Sequence, residues 1–408
     1  MNMQEIKGGV TAPQGYKAAG MEAGIKKSGK DMAMLFSVVP CNVAGTFTSN
    51  LVKASPVMWD MKIVHEEKKA QAAVINSGVA NACTGKEGMD RCYLMAEKAG
   101  ECLNIAPSLV TVASTGVIGR QLPMDKICSG IEGLSGLLDD SIDAGTLAAE
   151  AIMTTDTVSK EAAVQIEIGG KNVTVGGMSK GSGMIHPNMC TMLSFVTTDA
   201  CISQPLLQEI LSESVRKSYN MISVDGDTST NDTCLLFANG LAGNEEITEK
   251  NDDYAALKAA VDHVNITLAK KMAADGEGAT ALFEVKVIHA ASKEQAVTLS
   301  KSVISSSLVK TAIAGHDANW GRIVCAMGYS GAVFDPETVD LYFESAAGKL
   351  KIIENGTDTG YSEETATKIL SENHITAWID LKEGVEEATA WGCDLTHEYI
   401  SINADYRS

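Results

Sequence analysis

Between Lys180 and Phe195 the chain reads Lys-Gly-Ser-Gly-Met-Ile-His-Pro-Asn-Met-Cys-Thr-Met-Leu-Ser-Phe. Gly181 and Gly183 allow tight or positive-φ backbone that a side chain forbids. Pro187 stiffens the approach and biases His186 towards extended geometry. Directly after Thr191 come Met192, Leu193, Phe195 and Val196, an apolar run that predicts a buried strand. A glycine-rich loop therefore delivers one hydroxyl to the mouth of a rigid strand. If the peptide bond between Cys190 and Thr191 is cut, Thr191 gains a free α-amine next to its own hydroxyl. That amine, with a pKa of about 8, is a base suited to activating a Thr nucleophile. A loop that only feeds a core strand would look the same on this stretch alone.

The 408 residues can bury a large core and suggest two or three domains or lobes. The net charge of −19 opposes nucleic acid and anionic membrane as partners. No apolar run is long enough to read as a transmembrane span. The start, Met1-Asn2-Met3-Gln4-Glu5-Ile6, lacks the basic and apolar blocks of a signal peptide. Ten cysteines spread from Cys41 to Cys393 without a Cys-x-x-Cys pair. Neither zinc nor a disulfide framework is expected, no cofactor is implied, and scattered thiols fit a reducing cytoplasm.

Residues 1–31, rich in Gly, Lys and Ala, read as loops crossing the surface. Met32 to Val39 is an apolar strand expected to end at Pro40. Val74-Ile75 is a short buried strand breaking into Asn76-Ser77-Gly78-Val79-Ala80-Asn81, whose small residues suit a ligand or a tight strand-to-helix turn. Met89, Cys92, Ala96, Ala99 and Leu103 have helical spacing. The strand Leu109 to Ala113 leads into Ser114-Thr115-Gly116-Val117, a form of turn that bares backbone N–H groups to an oxyanion or simply reverses the chain. A helix through Leu147, Ala148 and Ile152 stops at a hydroxyl cluster, Met153-Thr154-Thr155-Asp156-Thr157, which reads as a cap or a binding rim.

Val164 to Ile168 and Val173 to Val175 alternate across Gly169-Gly170 as a hairpin. The acidic run Asp225 to Asp232 lacks the Gly and Glu positions of an EF-hand, so a hydrogen-bonded loop is expected there. Ala255 to Ala274 is a long helix ended by Asp275-Gly276-Glu277-Gly278. These glycines leave Glu277 exposed to an ammonium group, or they serve as a plain C-cap. A helix is expected over Ala296 to Val309, and strands around Val285, Leu341 and Ala377. The chain closes on Tyr399 to Ser408, which reads as a docked tail. Interleaved strands and helices with frequent hairpins give an α/β (α+β) chain, with helix-covered sheets of mixed or antiparallel pairing.

In this order, Asn76 to Gly85, Ser114 to Gly119, Lys180 to Leu193, Asp225 to Asp232, Asn319 to Arg322 and Asn403 to Tyr406 resemble the ornithine acetyltransferase family, the glutamate N-acetyltransferases of arginine biosynthesis. The match runs across essentially the whole chain. Small departures are Cys190 where the family usually has Ala, Val79 where Asn is common and Ala318 where Pro is common.

The resemblance implies a helix-covered two-layer mixed β-sheet sandwich. It implies self-cleavage between Cys190 and Thr191 into an α chain, 1–190, and a β chain, 191–408, assembled as a heterotetramer. The implied reaction moves acetyl from N2-acetylornithine to glutamate through acetyl-Thr191, and some members also take acetyl from acetyl-CoA. The resemblance assigns the oxyanion hole to Thr115 and Gly116, and substrate binding to Thr154, Lys180, Thr191, Glu277, Asn403 and Ser408. Two rivals stay open at this point: a Thr-nucleophile amidohydrolase or aminopeptidase, and an uncut binding protein.

Overall fold

The structure, a computed structural model, describes residues 3–186 and 192–404. Cys190, Thr191 and Ser408 lie outside the described residues. The chain forms two compact units, Met1–Gly181 with Pro187–Asn220 and Asp227–Leu268, and Ser182–His186 with Met221–Gly226 and Ala269–Ser408. Compact units and the expected chains 1–190 and 191–408 are different divisions, since a covalent cut need not follow a packing boundary.

In the first unit nine strands make one sheet. Eight lie in the order Gln4–Ile6, Lys160–Ile168, Lys171–Lys180, Leu193–Thr198, Thr233–Ala238, Met32–Phe47, Lys69–Val79, Val110–Val117, and Tyr16–Met21 also pairs with Met32–Phe47. Leu193–Thr198 runs parallel to Thr233–Ala238, and Lys69–Val79 parallel to Val110–Val117. The other pairs are antiparallel, so the sheet is mixed as expected.

Alternate residues of two neighbouring strands, Met32–Phe47 and Lys69–Val79, enter two separate cores. Ala33, Leu35, Ala73 and Ile75 join Phe195 and Phe237, whereas Met32, Met34, Ala72 and Val74 join Met95 and Ile131. A sheet covered on both faces needs apolar residues at every position, which explains the unbroken apolar runs in these strands. Helix Gln204–Lys217 packs on Met32–Phe47, and helix Ile142–Ala151 on Tyr16–Met21.

Two local expectations are corrected here. The strand beginning at Met32 continues through Pro40 to Phe47. Its register with Lys69–Val79 shifts between Phe36 and Cys41, and that irregularity accommodates a residue with no N–H to donate. Residues 1–31 are not only surface loop: Val10, Tyr16 and Ala18 are buried, and the Tyr16 hydroxyl bonds the carbonyls of Thr198 and Phe237 at 3.0 and 2.9 Å.

The second unit holds a seven-stranded mixed sheet, ordered Thr357–Asp358, Gly348–Glu354, Asp340–Ser345, His374–Asp380, Leu282–Ala290, Glu386–Cys393, Ile222–Ser223. Helix Lys293–Ser305 packs on two of its strands, Leu282–Ala290 and Glu386–Cys393. The single helix expected over Ala296 to Val309 is two, Lys293–Ser305 and Ser307–Ala314. Ser306 breaks them with extended backbone, and its hydroxyl accepts from Val309 N as an N-cap.

Candidate active site

In the first unit the parallel pair Lys69–Val79 and Val110–Val117 sets Asn76 beside Ser114 and Gly78 beside Gly116. A Cβ on Gly116 would meet the Gly78 carbonyl carbon at 2.3 Å, and Gly116 has φ +126°, so only glycine fits this close crossing. Ser114 Oγ donates to Asn76 Oδ1 at 2.7 Å, and Asn76 Nδ2 donates to Val79 O at 2.9 Å. Asn231 Nδ2 bridges the carbonyls of Ala80 and Ser114 at 2.6 and 2.8 Å. These bonds fix both strand ends, and Thr115 stands between them, half-buried. A hydroxyl and a peptide held at a fixed turn are the donor types that stabilise an oxyanion.

The hydroxyl cluster after helix Ile142–Ala151 is an electrostatic site. Asp156 and Lys160 pair at 2.7 Å, and both side chains have 0% exposure. Asp156 also accepts from the N–H groups of Gly181 at 2.6 Å and Thr154 at 3.0 Å. Lys180 Nζ donates to Thr154 Oγ1 at 2.8 Å and stands 3.8 Å from Asp156. Burial acts to raise the Asp156 carboxyl, but Lys180, Lys160 and the Gly181 N–H together hold it well below the ordinary carboxylate range. Two of the residues assigned by resemblance, Thr154 and Lys180, therefore touch. Lys180 is 6% exposed, far from the solvated surface charge that is the usual fate of lysine.

Lys26 Nζ reaches the same segment, donating to Met153 O at 3.1 Å. Burial lowers its pKa, Asp31 and Asp156 oppose the fall, and Lys180 adds to it. Nearby, Asp232 accepts from Met192 N at 2.9 Å, the residue bonded to Thr191, and burial pushes its carboxyl well above the usual range.

The second unit carries Glu277 and Asn403. Glu277 was expected at an exposed helix end but is only 7% exposed. The reason lies in the segment Ser182–Ile185: Glu277 N donates to Ser182 O at 3.0 Å, and Ser182 Oγ donates to Asp275 O at 2.7 Å. The carboxylate lies on Gly183, where a Cβ would come within 2.2 Å of its carbon. Asn403, in helix His397–Ala404, donates Nδ2 to Glu277 Oε2 at 2.7 Å. Asp225 accepts from Met184 N at 2.5 Å and Ile185 N at 2.9 Å, holding Met184 at φ +57°. The expected hydrogen-bonding role for the acidic run thus holds for Asp225. Asn319, by contrast, is a helix cap, its side chain accepting from Arg322 N.

Asp156 falls inside the hydroxyl cluster 153–157, but nothing in the sequence singles out Lys160 or Lys26. Asp156 and Lys160 are four apart, yet without a helix that spacing signals nothing. Lys26 sits among Lys27 and Lys30 and reads as one more solvated lysine.

The ArgJ family model matches residues 17–408. The arginine biosynthesis bifunctional protein ArgJ of Thermotoga neapolitana is 52% identical over 398 residues, covering 97% of this chain and 99% of its own. The chain belongs to the ArgJ family. A second ArgJ relative, the arginine biosynthesis bifunctional protein of Listeria monocytogenes, is 46% identical over 406 residues, 100% of either chain. Among solved structures, ArgJ of Bacillus halodurans is 42% identical with a TM-score of 0.44, covering 47% of this chain and 98% of that chain. Ornithine acetyltransferase of Mycobacterium tuberculosis, complexed with ornithine, is 39% identical with a TM-score of 0.43, covering 46% of this chain and 99% of that chain. The ArgJ match agrees with the resemblance carried by the motifs. Among the described residues no helix is long and apolar enough to cross a membrane.

Proposed function

We propose that this ArgJ-family protein transfers acetyl from N2-acetylornithine to glutamate through an acetyl ester on Thr191, and that it first cleaves itself between Cys190 and Thr191. The observation that carries the reading is Lys180, buried and hydrogen-bonded to Thr154 above a carboxylate that Lys160 already neutralises. A cation held this way suits the α-carboxylate of an amino acid.

The chemistry follows from residue types. Thr191 Oγ attacks the Cys190 carbonyl, the C–N bond breaks, and the hydroxyl proton ends on the new α-amine. Water then hydrolyses the ester, leaving chains 1–190 and 191–408, which assemble as a heterotetramer in the cytoplasm. In turnover the amine takes the proton from Oγ as it attacks the acetyl carbonyl. Thr115 and the Gly116 N–H stabilise the oxyanion, one such donor being worth about 3–4 kcal/mol. Ornithine leaves with the proton, and the amine of glutamate attacks the acetyl ester, restoring Thr191. Lys180 takes the α-carboxylate and Glu277 the δ-ammonium of ornithine, while Thr154, Asn403 and Ser408 supply hydrogen bonds. The relatives are named bifunctional, and we assign acetyl-CoA as the second acetyl donor.

N-terminal sequencing of purified protein tests the processing: a fragment starting at Thr191 is expected, and only the original N-terminus would sink it. Thr191→Ala stays one chain and transfers nothing. N-acetylglutamate should accumulate with ornithine when both substrates are supplied. Acetate released in its place would make the protein a hydrolase.

A further inference from the structure

The donor and acceptor differ at the far end of the side chain. Ornithine ends in an ammonium group and glutamate in a second carboxylate. A carboxylate such as Glu277 favours the first and repels the second, so the acceptor's side chain needs a cation other than the one that takes the α-carboxylate.

Within the first unit Lys26 has the required character. Its Nζ donates to Met153 O at 3.1 Å, one residue from Thr154, which Lys180 contacts at 2.8 Å. Its stem lies over Gly78, where a Cβ would come within 2.9 Å of Lys26 Cγ, and Gly78 in turn abuts Gly116. Ser77 Oγ donates to Ala151 O at 2.8 Å, tying that strand to the segment carrying Met153 and Thr154. Lys26 therefore stands between the Gly78–Gly116 crossing and the Lys180–Thr154 contact.

Its surroundings leave the charge under-compensated. The nearest carboxylate on its own loop, Asp31, accepts the backbone N–H groups of Ala23, Ile25 and Lys26 at 2.6, 2.5 and 2.9 Å. Asp156 is engaged by Lys160. The hydrogen bond from Lys26 goes to a neutral carbonyl, and its pKa falls chiefly through burial. A half-buried cation in that state gains when an anion arrives.

We propose that Lys26 is a specificity-determining residue that receives the side-chain carboxylate of the acceptor glutamate. This rests on the acetyltransferase reading above. The test is steady-state kinetics of wild type, Lys26→Gln, Lys26→Met and Lys26→Arg with acetylornithine and glutamate varied in turn. Lys26→Met keeps the apolar stem over Gly78 and stands in as the uncharged variant if Lys26→Gln does not fold. Either uncharged variant should raise the KM for glutamate about 10- to 100-fold, the worth of a charge-assisted hydrogen bond, and that for acetylornithine less than about threefold. Lys26→Arg should recover most of the loss. The preference for glutamate over glutamine as acceptor should shrink by a similar factor, because glutamine lacks the charge. An unchanged KM for glutamate, or equal rises for both substrates, overturns the inference while leaving the transferase reading intact. Wild-type protein that makes no N-acetylglutamate overturns both.

Discussion

The two units carry the charges of the candidate site in opposite ways. In the first, Asp156 and Lys160 are fully buried against each other, and Lys180 and Thr154 are built around them. In the second, Glu277 is buried to a similar depth, but its side-chain partner is the amide of Asn403, which brings a hydrogen bond without charge. One region spends buried ion pairing on fixing a cation, and the other keeps a carboxylate whose charge no described side chain neutralises. Removing the carboxylate from the first arrangement takes away the counter-charge that it gives buried Lys160, whereas removing charge from the second leaves a satisfied hydrogen bond. Stability should therefore be sensitive in the first region, and substrate discrimination in the second.

The largest effect that can break this contrast comes from Asp156→Asn, which removes the carboxylate paired with Lys160 in the interior. Unfolding in denaturant should show a loss of about 3–5 kcal/mol, and a loss below about 1 kcal/mol would mean that the pair does not hold the region. The sign with pH follows. The folded carboxyl is held below its usual value, so its stabilisation is present above the unfolded pKa of about 3.9 and is lost as pH falls through the folded value. The Asn variant should lack that part of the acid limb.

Next in size is Thr115→Ala, expected to cost about 3–4 kcal/mol in kcat, or two to three orders of magnitude, with ornithine binding little changed. Equal losses in rate and affinity would make Thr115 a structural residue of the crossing at Gly116. In the second unit, Glu277→Gln should weaken acetylornithine use by about 1.5–3 kcal/mol in kcat/KM, with little change in self-cleavage or in denaturant stability. If instead stability falls as far as in Asp156→Asn, the two regions are built alike. The smallest effect is expected from Asn403→Ala, about 0.5–1.5 kcal/mol in acetylornithine binding by calorimetry, because Asn403 is exposed and contributes neutral hydrogen bonds, one of them to Glu277.

Much of the fold could be read from the sequence because the chain alternates cleanly where one periodicity dominates. The hairpin around Gly169-Gly170 and the helix Asp252–Ala274 are where their patterns put them. Pro40 misled because a proline stops a strand only when its N–H is needed, and here the ladder shifts register around it. The family was legible because several motifs stand in one order along the whole chain, and the ArgJ match bears this out. The electrostatics were not legible. Lys180, Lys26 and Glu277 are charged residues next to glycines or lysines, and nothing local separates a solvated charge from one that tertiary packing buries. Burial of Glu277 depends on Ser182 and Gly183, nearly a hundred residues away, which no local window contains.

The order of the nine-stranded sheet has a consequence for a cut chain. Leu193–Thr198 and Thr233–Ala238 lie between Lys171–Lys180 on one side and Met32–Phe47 on the other. A break at the 190–191 bond would thus leave two polypeptides in one sheet, a pair of strands from the second inserted between strands of the first, with Lys180 still facing Leu193 across the ladder. Native protein would hold together without any covalent link. Once denatured, however, it could regain its structure only through a second-order encounter of two chains. Refolding yield would then depend on protein concentration for the cut form and not for an uncut precursor, making the mature protein a product of its folding history rather than of its sequence alone.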